Sequence, residues 1–74
     1  MLKWIPNSDN TDFHLEKGDA NMHCILSGGV WRIEVWIKDH KKIDCWAGKA
    51  QDTPLEDVQA LAEALHETYR GWKG

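Results

Sequence analysis

The chain lacks the cysteine content of a disulfide-stabilised protein, since 74 residues include only two cysteines and no C-x-x-C pair. It also lacks an apolar run long enough to span a bilayer. The first six residues have neither the apolar stretch nor the cleavage site of a signal peptide. These absences predict a cytoplasmic protein with reduced thiols and no membrane association.

Positive charge is also scarce. Nine Lys and Arg residues against twelve Asp and Glu residues give a net charge of −3 at pH 7. This balance argues against a protein whose main task is to neutralise phosphates. The length predicts one small domain over residues 1–74, with a marginal core that five tryptophans help to fill.

The dipeptide Gly28-Gly29 lies between two apolar runs and predicts a two-residue hairpin turn, because both central positions of such a turn can require positive φ. Counting outward pairs Ser27 with Val30 and Cys24 with Ile33. A period of two then sorts the side chains onto two faces. The core face receives Met22, Cys24, Leu26, Trp31, Ile33, Val35 and Ile37. The opposite face, called the outer face below, receives His23, Ile25, Arg32, Glu34, Trp36 and Lys38.

The remaining strands and the helix follow from apolar periodicity and turn residues. The helix start is marked by Thr53 as a cap, Pro54 in the first turn and Glu56 in a capping box. The helix stripe predicted to face the sheet contains Leu55, Val58, Leu61, Ala62, Leu65, Tyr69 and Trp72. The predicted elements are a short edge strand over 2–5, strands over 12–16, 21–27, 30–38 and 42–49, and a helix over 54–70. The fold class is α+β: a three- to four-stranded antiparallel β-meander with one C-terminal helix packed on one face.

The last strand has two possible registers. One register pairs Ile37 with Asp44 and places Asp44 and Trp46 in the core. The other pairs Ile37 with Ile43 and Val35 with Cys45, so that Ile43, Cys45 and Ala47 face the core. The second register buries no charge, which favours it, and it points Trp46 outward.

Six side chains are potential metal ligands or nucleophiles, but their spacing does not match the short pairs of zinc sites. The neighbours His23 and Cys24 point to opposite faces of one strand. The thiols of Cys24 and Cys45 are predicted to lie about 10 Å apart, too far for a disulfide. Burial should also make them poor nucleophiles. The six residues are His14, His23, Cys24, His40, Cys45 and His66. We therefore predict that they bind no metal ion or cofactor and that the protein is not an enzyme.

The outer face carries an aromatic patch that has two interpretations. The N-terminal segment could cover it through Trp4 and Ile5. Alternatively, the patch binds a partner, because exposed tryptophans beside an arginine match the composition of interface hot spots. The partner-binding residues predicted on this face are Trp36, Trp46, Arg32, Ile25 and His23.

Three further partner hypotheses remain open. The acidic helix stripe of Glu56, Glu63 and Glu67 is either a solvated surface or one that imitates phosphate and binds a basic groove. The tryptophans, with Arg32 and Lys42, could instead stack single-stranded bases. An edge strand and an exposed aromatic face also favour a homodimer.

The layout resembles small accessory proteins encoded by phages and prophages. The shared features are Trp4 near the N-terminus, the Gly-Gly-Val-Trp-Arg hairpin over 28–32, a strand closing on Gly48 and the helix start over 53–56. The resemblance implies a non-enzymatic accessory protein, and some such proteins inhibit host defence machinery, including anti-CRISPR proteins. The predicted function is therefore a protein-interaction module of the phage-inhibitor type, acting on a host protein or defence complex. The alternative is a single-stranded nucleic-acid-binding protein.

Overall fold

The computed structural model describes residues 3–18, 20–38 and 42–69. Within these ranges the strands form one antiparallel sheet in the order β1-β2-β3-β4-β5. The predicted α+β meander with a C-terminal helix is confirmed, and the sheet has five strands where three or four were predicted. The elements are β1 (Ile5–Pro6), β2 (Asp12–Lys17), β3 (Ala20–Ser27), β4 (Val30–Ile37), β5 (Lys42–Lys49) and α1 (Leu55–Tyr69).

The central hairpin forms as its turn residues predict. Gly28 and Gly29 have φ angles of 60° and 76°, which glycine adopts without a Cβ penalty. The turn sets Ser27 opposite Val30 and extends the pairing to Ala20 opposite Ile37. The predicted division of β3 and β4 into core and outer faces is therefore confirmed.

The predicted side of each β5 residue is correct, but the predicted cross-strand partners are wrong by two positions. Ile43 lies opposite Val35, and Cys45 lies opposite Ile33. A shift of two residues preserves which face each side chain occupies, so Trp46 still points outward. The cost of burying a charge shows which face of the strand is in the core, but it does not distinguish between registers that differ by two residues.

A β-bulge interrupts the pairing near the end of β5. Trp46 lies opposite Arg32, whereas Gly48 lies opposite Trp31, so Ala47 is the extra residue. Gly48 has a φ of 142°, and a Cβ built there would meet Thr53 Oγ1 at 2.5 Å. The bulge thus directs the chain from the sheet edge toward the start of α1.

The core lies between the sheet and α1, which packs over β3 and β4. Ile43, Cys45 and Ala47 on β5 are half-buried at its margin. Among the described residues, no helix has the length and apolarity to cross a bilayer. The buried apolar residues are Leu15, Ala20, Met22, Cys24, Trp31, Ile33, Val35, Ile37, Val58 and Ala62.

The helix stripe differs from the predicted one at its flank. Leu61, which was predicted to face the sheet, is 40% exposed, whereas His66, which was not, is buried. The buried line runs through Val58, Ala62 and His66, which recur at the four-residue spacing of one helix face. Leu61 falls outside this line, and the predicted Trp72 lies outside the described residues.

The N-terminal strand is shorter and later than predicted. It contains Ile5 and Pro6, which pair with His14 and Phe13, whereas the prediction placed it over 2–5 and ended it before Pro6. An edge strand tolerates proline because one side of its backbone needs no ladder donor. Leu2 lies outside the described residues.

Candidate functional site

The central part of the outer face consists of three cross-strand rows of side chains, set by the pairing of the strands. It brings together the five predicted residues on β3, β4 and β5, which sequence spacing alone had placed on one side. The first row is Asp12, Ile25, Arg32 and Trp46; the middle row is Ile5, His14, His23, Glu34 and Asp44; and the third row is Glu16, Asn21, Trp36 and Lys42.

Two tryptophans dominate the exposed apolar surface of this face. Trp36 is 48% exposed and Trp46 is 67% exposed. They lie on adjacent strands in the first and third rows, separated by the middle row. Because each row advances the strand by two residues, the two indoles are offset by about 13 Å along the strands. The offset allows a partner surface to contact both rings with a polar segment between them.

Four charged side chains form a network between the tryptophans, called the ion network below: Arg32, Glu34, Lys42 and Asp44. The Arg32 guanidinium lies 2.9 Å from Glu34 and 3.9 Å from Asp44. The Lys42 ammonium lies 3.5 Å from each of the same carboxylates. Two cations and two carboxylates therefore neutralise each other on the sheet surface.

The ion network also holds Trp36 in place. The Lys42 ammonium lies 5.0 Å from the centre of the Trp36 ring, within the range of a cation–π contact. The Trp36 indole N–H donates to Glu34 Oε1 at 3.4 Å. Exposed ion pairs contribute little to stability individually. Their role here is to limit the orientations of an exposed aromatic ring.

A histidine pair extends the polar surface toward β2. The rings of His14 and His23 stack with centroids 4.7 Å apart and planes 11° from parallel. His23 Nδ1 lies 3.0 Å from Asp12 Oδ1, and His14 Nε2 lies 3.2 Å from Asn21 Oδ1. Asp12 and His14 were not among the predicted site residues. Their alternation along β2 was the signal that places them on this face.

The interpretation that Trp4 covers the outer face is wrong. Trp4 packs against the core, and its indole N–H donates to Glu63 Oε2 at 3.4 Å on the helix side. Ile5 does lie on the outer face, beside His14, but it is 62% exposed. Within the described ranges the outer face is open over Trp36 and Trp46.

The predicted helix acids do not join this site, because α1 lies on the opposite side of the sheet. Glu56 and Glu67 are exposed on the helix. Glu63 is half-buried and accepts the hydrogen bond from Trp4, so its role includes holding the N-terminal segment. The eight predicted partner-binding residues therefore form two separate surfaces.

Both thiols are free, and both are poor nucleophiles at neutral pH. Burial, with smaller contributions from Asp12 and Glu63, raises the pKa of Cys24 to about 12. Burial and the nearby Asp44 also raise the pKa of Cys45. No cluster of three or more His, Cys, Asp and Glu side chains in the described part of the chain could hold a metal ion. His40, one of the predicted candidates, lies outside that part.

The raised pKa of Cys24 predicts a loss of stability at alkaline pH. An unfolded thiol ionises near 9.0 and the folded one near 12, so hydroxide favours the unfolded state within that interval. The contribution of Cys24 is fully present below pH 9 and declines by up to about 1.4 kcal/mol per pH unit above it. Urea titrations at pH 8, 9 and 10 measure this decline.

The Cys24→Ala variant is the control for that experiment, since other groups also titrate at high pH. We expect its stability to decline less steeply than that of the wild type between pH 9 and 10. Parallel pH profiles for the two proteins would show that Cys24 does not ionise on unfolding as described.

Comparisons with known proteins supply no relative: no family model, curated protein or solved structure matches the chain significantly. The resemblance to phage-encoded accessory proteins therefore stays a prediction. The functional argument depends on the geometry of the outer face.

Proposed function

We propose that this protein is a non-enzymatic protein-interaction module that binds a protein partner through its outer face. The observation that carries this proposal is the pair of exposed indoles, Trp36 and Trp46, on one rigid sheet surface. Tryptophan and arginine are enriched among the few interface residues that supply most of the binding energy. Inhibition of a host protein or defence complex is one form that such binding would take.

The rigidity of the sheet supports this role. Both tryptophans lie within paired strands, and the contacts of Trp36 with Lys42 and Glu34 restrict its ring. A side chain that is already ordered loses less conformational entropy on binding. The outer face is therefore suited to provide two apolar anchors, and the ring of one of them, Trp36, is already restricted by its neighbours.

The charges on the outer face favour a protein partner over a nucleic acid. Arg32 and Lys42 both lie within 3.9 Å of carboxylates, so contact with phosphate would compete with these ion pairs. The outer face's described carboxylates are Asp12, Glu16, Glu34 and Asp44, and its described cations are Arg32, Lys38, Lys42 and Lys49, so the face has no excess of positive charge to attract a phosphate backbone.

The test is affinity capture from a lysate of the natural host, followed by affinity measurement with the partner identified. We expect the double variant Trp36→Ala/Trp46→Ala to raise the Kd at least about 30-fold, which corresponds to the roughly 2 kcal/mol lost with one hot-spot residue, and about 900-fold if the losses at both positions add. Leu61→Ala is a matched control, since it removes an exposed apolar side chain from the helix surface. A folded double variant that binds as tightly as the wild type contradicts the proposal.

Two further measurements separate the alternative surfaces. Glu56→Lys/Glu67→Lys changes the helix surface while leaving the Trp4–Glu63 hydrogen bond in place. Partner binding that depends on these acids should weaken steeply with salt, whereas binding through the indoles should tolerate moderate salt. Tryptophan quenching by a single-stranded oligonucleotide, with salt-dependent micromolar affinity, would instead support nucleic-acid binding.

A further inference from the structure

A shallow pocket of about 230 Å³ lies on the outer face where β1 meets β2. Its lining residues are Ile5, Pro6, Asn7, Asp12 and His14. Sites for small molecules usually have volumes of roughly 300–1,000 Å³, so this pocket has the size for one side chain and not for a drug-sized ligand. Trp36 and Trp46 do not line it.

The loop between β1 and β2 holds the carboxylate of this pocket in place. Asn7 Oδ1 accepts hydrogen bonds from the backbone N–H groups of Thr11 and Asp12, at 2.9 and 3.2 Å. The Asn7 backbone N–H donates to the Asp12 carbonyl at 2.9 Å, and its side-chain amide donates to Thr11 Oγ1 at 3.1 Å. The amide of Asn7 is therefore used within its own loop, and Asp12 is fixed at the start of β2.

The other polar groups beside the pocket are hydrogen-bond acceptors. His23 Nδ1 lies 3.0 Å from Asp12 Oδ1, and Asp12 Oδ2 has no hydrogen bond among the described residues. His14 Nε2 lies 3.2 Å from Asn21 Oδ1. A carbonyl oxygen can only accept, so His14 Nε2 donates and Nδ1 of the neutral ring is left as an acceptor. A group with several N–H donors suits these surroundings.

The charge of Asp12 is not neutralised in the way that the ion network neutralises its carboxylates. Glu34 and Asp44 each lie within 4 Å of both Arg32 and Lys42. Within residues 3–18, 20–38 and 42–69, no lysine or arginine forms an ion pair with Asp12, whose charged-group contact is His23. The pocket therefore has an electrostatic preference for a cation.

The walls of the pocket distinguish between cationic side chains. Ile5 is 62% exposed and Pro6 is exposed, so an alkyl stem can pack against them. The ring of His14 is stacked by His23 on the β3 side, and the pocket lies on the β1 side. A planar guanidinium can stack on an aromatic ring while it donates to a carboxylate, whereas an ammonium group lacks that flat surface.

We propose that this pocket binds an arginine side chain of the protein partner, an inference that rests on the proposed function. Asp12 and Trp46 share the first row of the outer face and are three strand spacings apart, about 14 Å. This separation lies within one interface of standard size, which buries roughly 800 Å² on each side. The partner surface then carries an arginine about 14 Å from the apolar group that contacts Trp46.

An NMR titration with Nα-acetylarginine methylamide tests the pocket without the partner. We expect saturable shifts of the amide signals of Ile5, Asn7, Asp12 and His14, with a millimolar Kd. The citrulline analogue has the same shape without the charge and should bind at least about fivefold more weakly. Citrulline binding as tight as that of arginine, or no saturable shift at these residues up to about 100 mM arginine analogue, overturns the proposal.

Three variants identify the residues that bind the probe. Asp12→Asn keeps an oxygen for His23 but removes the charge, and it should raise the Kd of the arginine analogue at least about tenfold. Ile5→Ala shortens an exposed side chain of the edge strand and should raise the Kd about threefold. Glu16→Gln is the control, because it removes the same charge from the same face of β2 outside the pocket. Wild-type affinity in Asp12→Asn or in Ile5→Ala contradicts this site.

The same variants distinguish the pocket from the proposed function once the partner is captured. We expect Asp12→Asn to raise the Kd for the partner at least about tenfold and Glu16→Gln to change it less than about twofold. A partner that loses affinity with Trp36→Ala/Trp46→Ala but not with Asp12→Asn leaves the proposed function in place and overturns the arginine pocket. A partner unaffected by the tryptophan double variant contradicts the proposed function itself.

Discussion

Trp31→Ala is expected to lower the free energy of unfolding by about 3–5 kcal/mol, the range for deleting a large buried aromatic side chain. Trp31 is 6% exposed, and its ring is tilted against Phe13 with centroids 6.0 Å apart. It lies opposite Leu26 on one side and Gly48 on the other. Because small domains are stabilised by only about 5–15 kcal/mol, this loss should be evident in urea or thermal unfolding.

The exposed Trp46 provides the matched control. It is the same residue type on the adjacent strand, but it is 67% exposed on the outer face. We expect Trp46→Ala to change stability by no more than about 0.5–1 kcal/mol. Equal losses for Trp31→Ala and Trp46→Ala would contradict the division of the sheet into a core face and an outer face.

Gly48→Ala is expected to destabilise the protein by about 2–4 kcal/mol, combining backbone strain with overpacking. The φ of Gly48 is 142°, a conformation that L-residues rarely adopt. The new Cβ would also lie 2.5 Å from Thr53 Oγ1, so either the Thr53 side chain or the backbone that carries it has to move. Chemical denaturation of the two proteins under identical conditions measures the loss.

Two variants separate the sources of that destabilisation. Gly28→Ala also places alanine at positive φ, but no heavy atom lies within 4 Å of its new Cβ, so we expect a smaller loss of about 1 kcal/mol. Adding Thr53→Ala to Gly48→Ala removes the clashing oxygen and should recover part of the stability. A double-mutant cycle with no coupling between positions 48 and 53 would show that the contact between the new Cβ and Thr53 Oγ1 does not cause the loss of stability.

The face of each strand residue could be predicted from sequence because two local signals agree. Gly28 and Gly29 fix the turn, and the period of two then assigns every side chain of β3 and β4 to one face. The exact partners across β4 and β5 could not be predicted. Burial cost has the same period of two, so it does not distinguish Val35 opposite Ile43 from Val35 opposite Cys45.

The helix and the N-terminal segment show a different limit. His66 is buried and Leu61 is partly exposed because the rotation of α1 is set by packing against β3 and β4, not by residue polarity alone. Trp4 packs on the core side and bonds Glu63, a contact between residues 59 positions apart. No local pattern in the sequence contains that information.

The sequence predicted which residues belong to the candidate site but not which of them form ion pairs with each other. Trp36, Trp46 and Arg32 were assigned to the outer face by alternation, and the structure places them there. The ion network depends on the row that sets Glu34 opposite Asp44, which the predicted register would have displaced. Electrostatic contacts across strands therefore require the register, whereas exposure requires only the face.

The alternation along β4 has a consequence for how this protein can change over evolutionary time. Each residue that packs the core, such as Ile33 and Val35, has immediate chain neighbours, such as Arg32 and Glu34, that take no part in that packing. The backbone of the sheet therefore separates the outer-face side chains from the core, and substitutions among them leave the core packing unchanged. Binding specificity can therefore change through substitutions at every second position of the strand, while the alternating core residues keep the same fold.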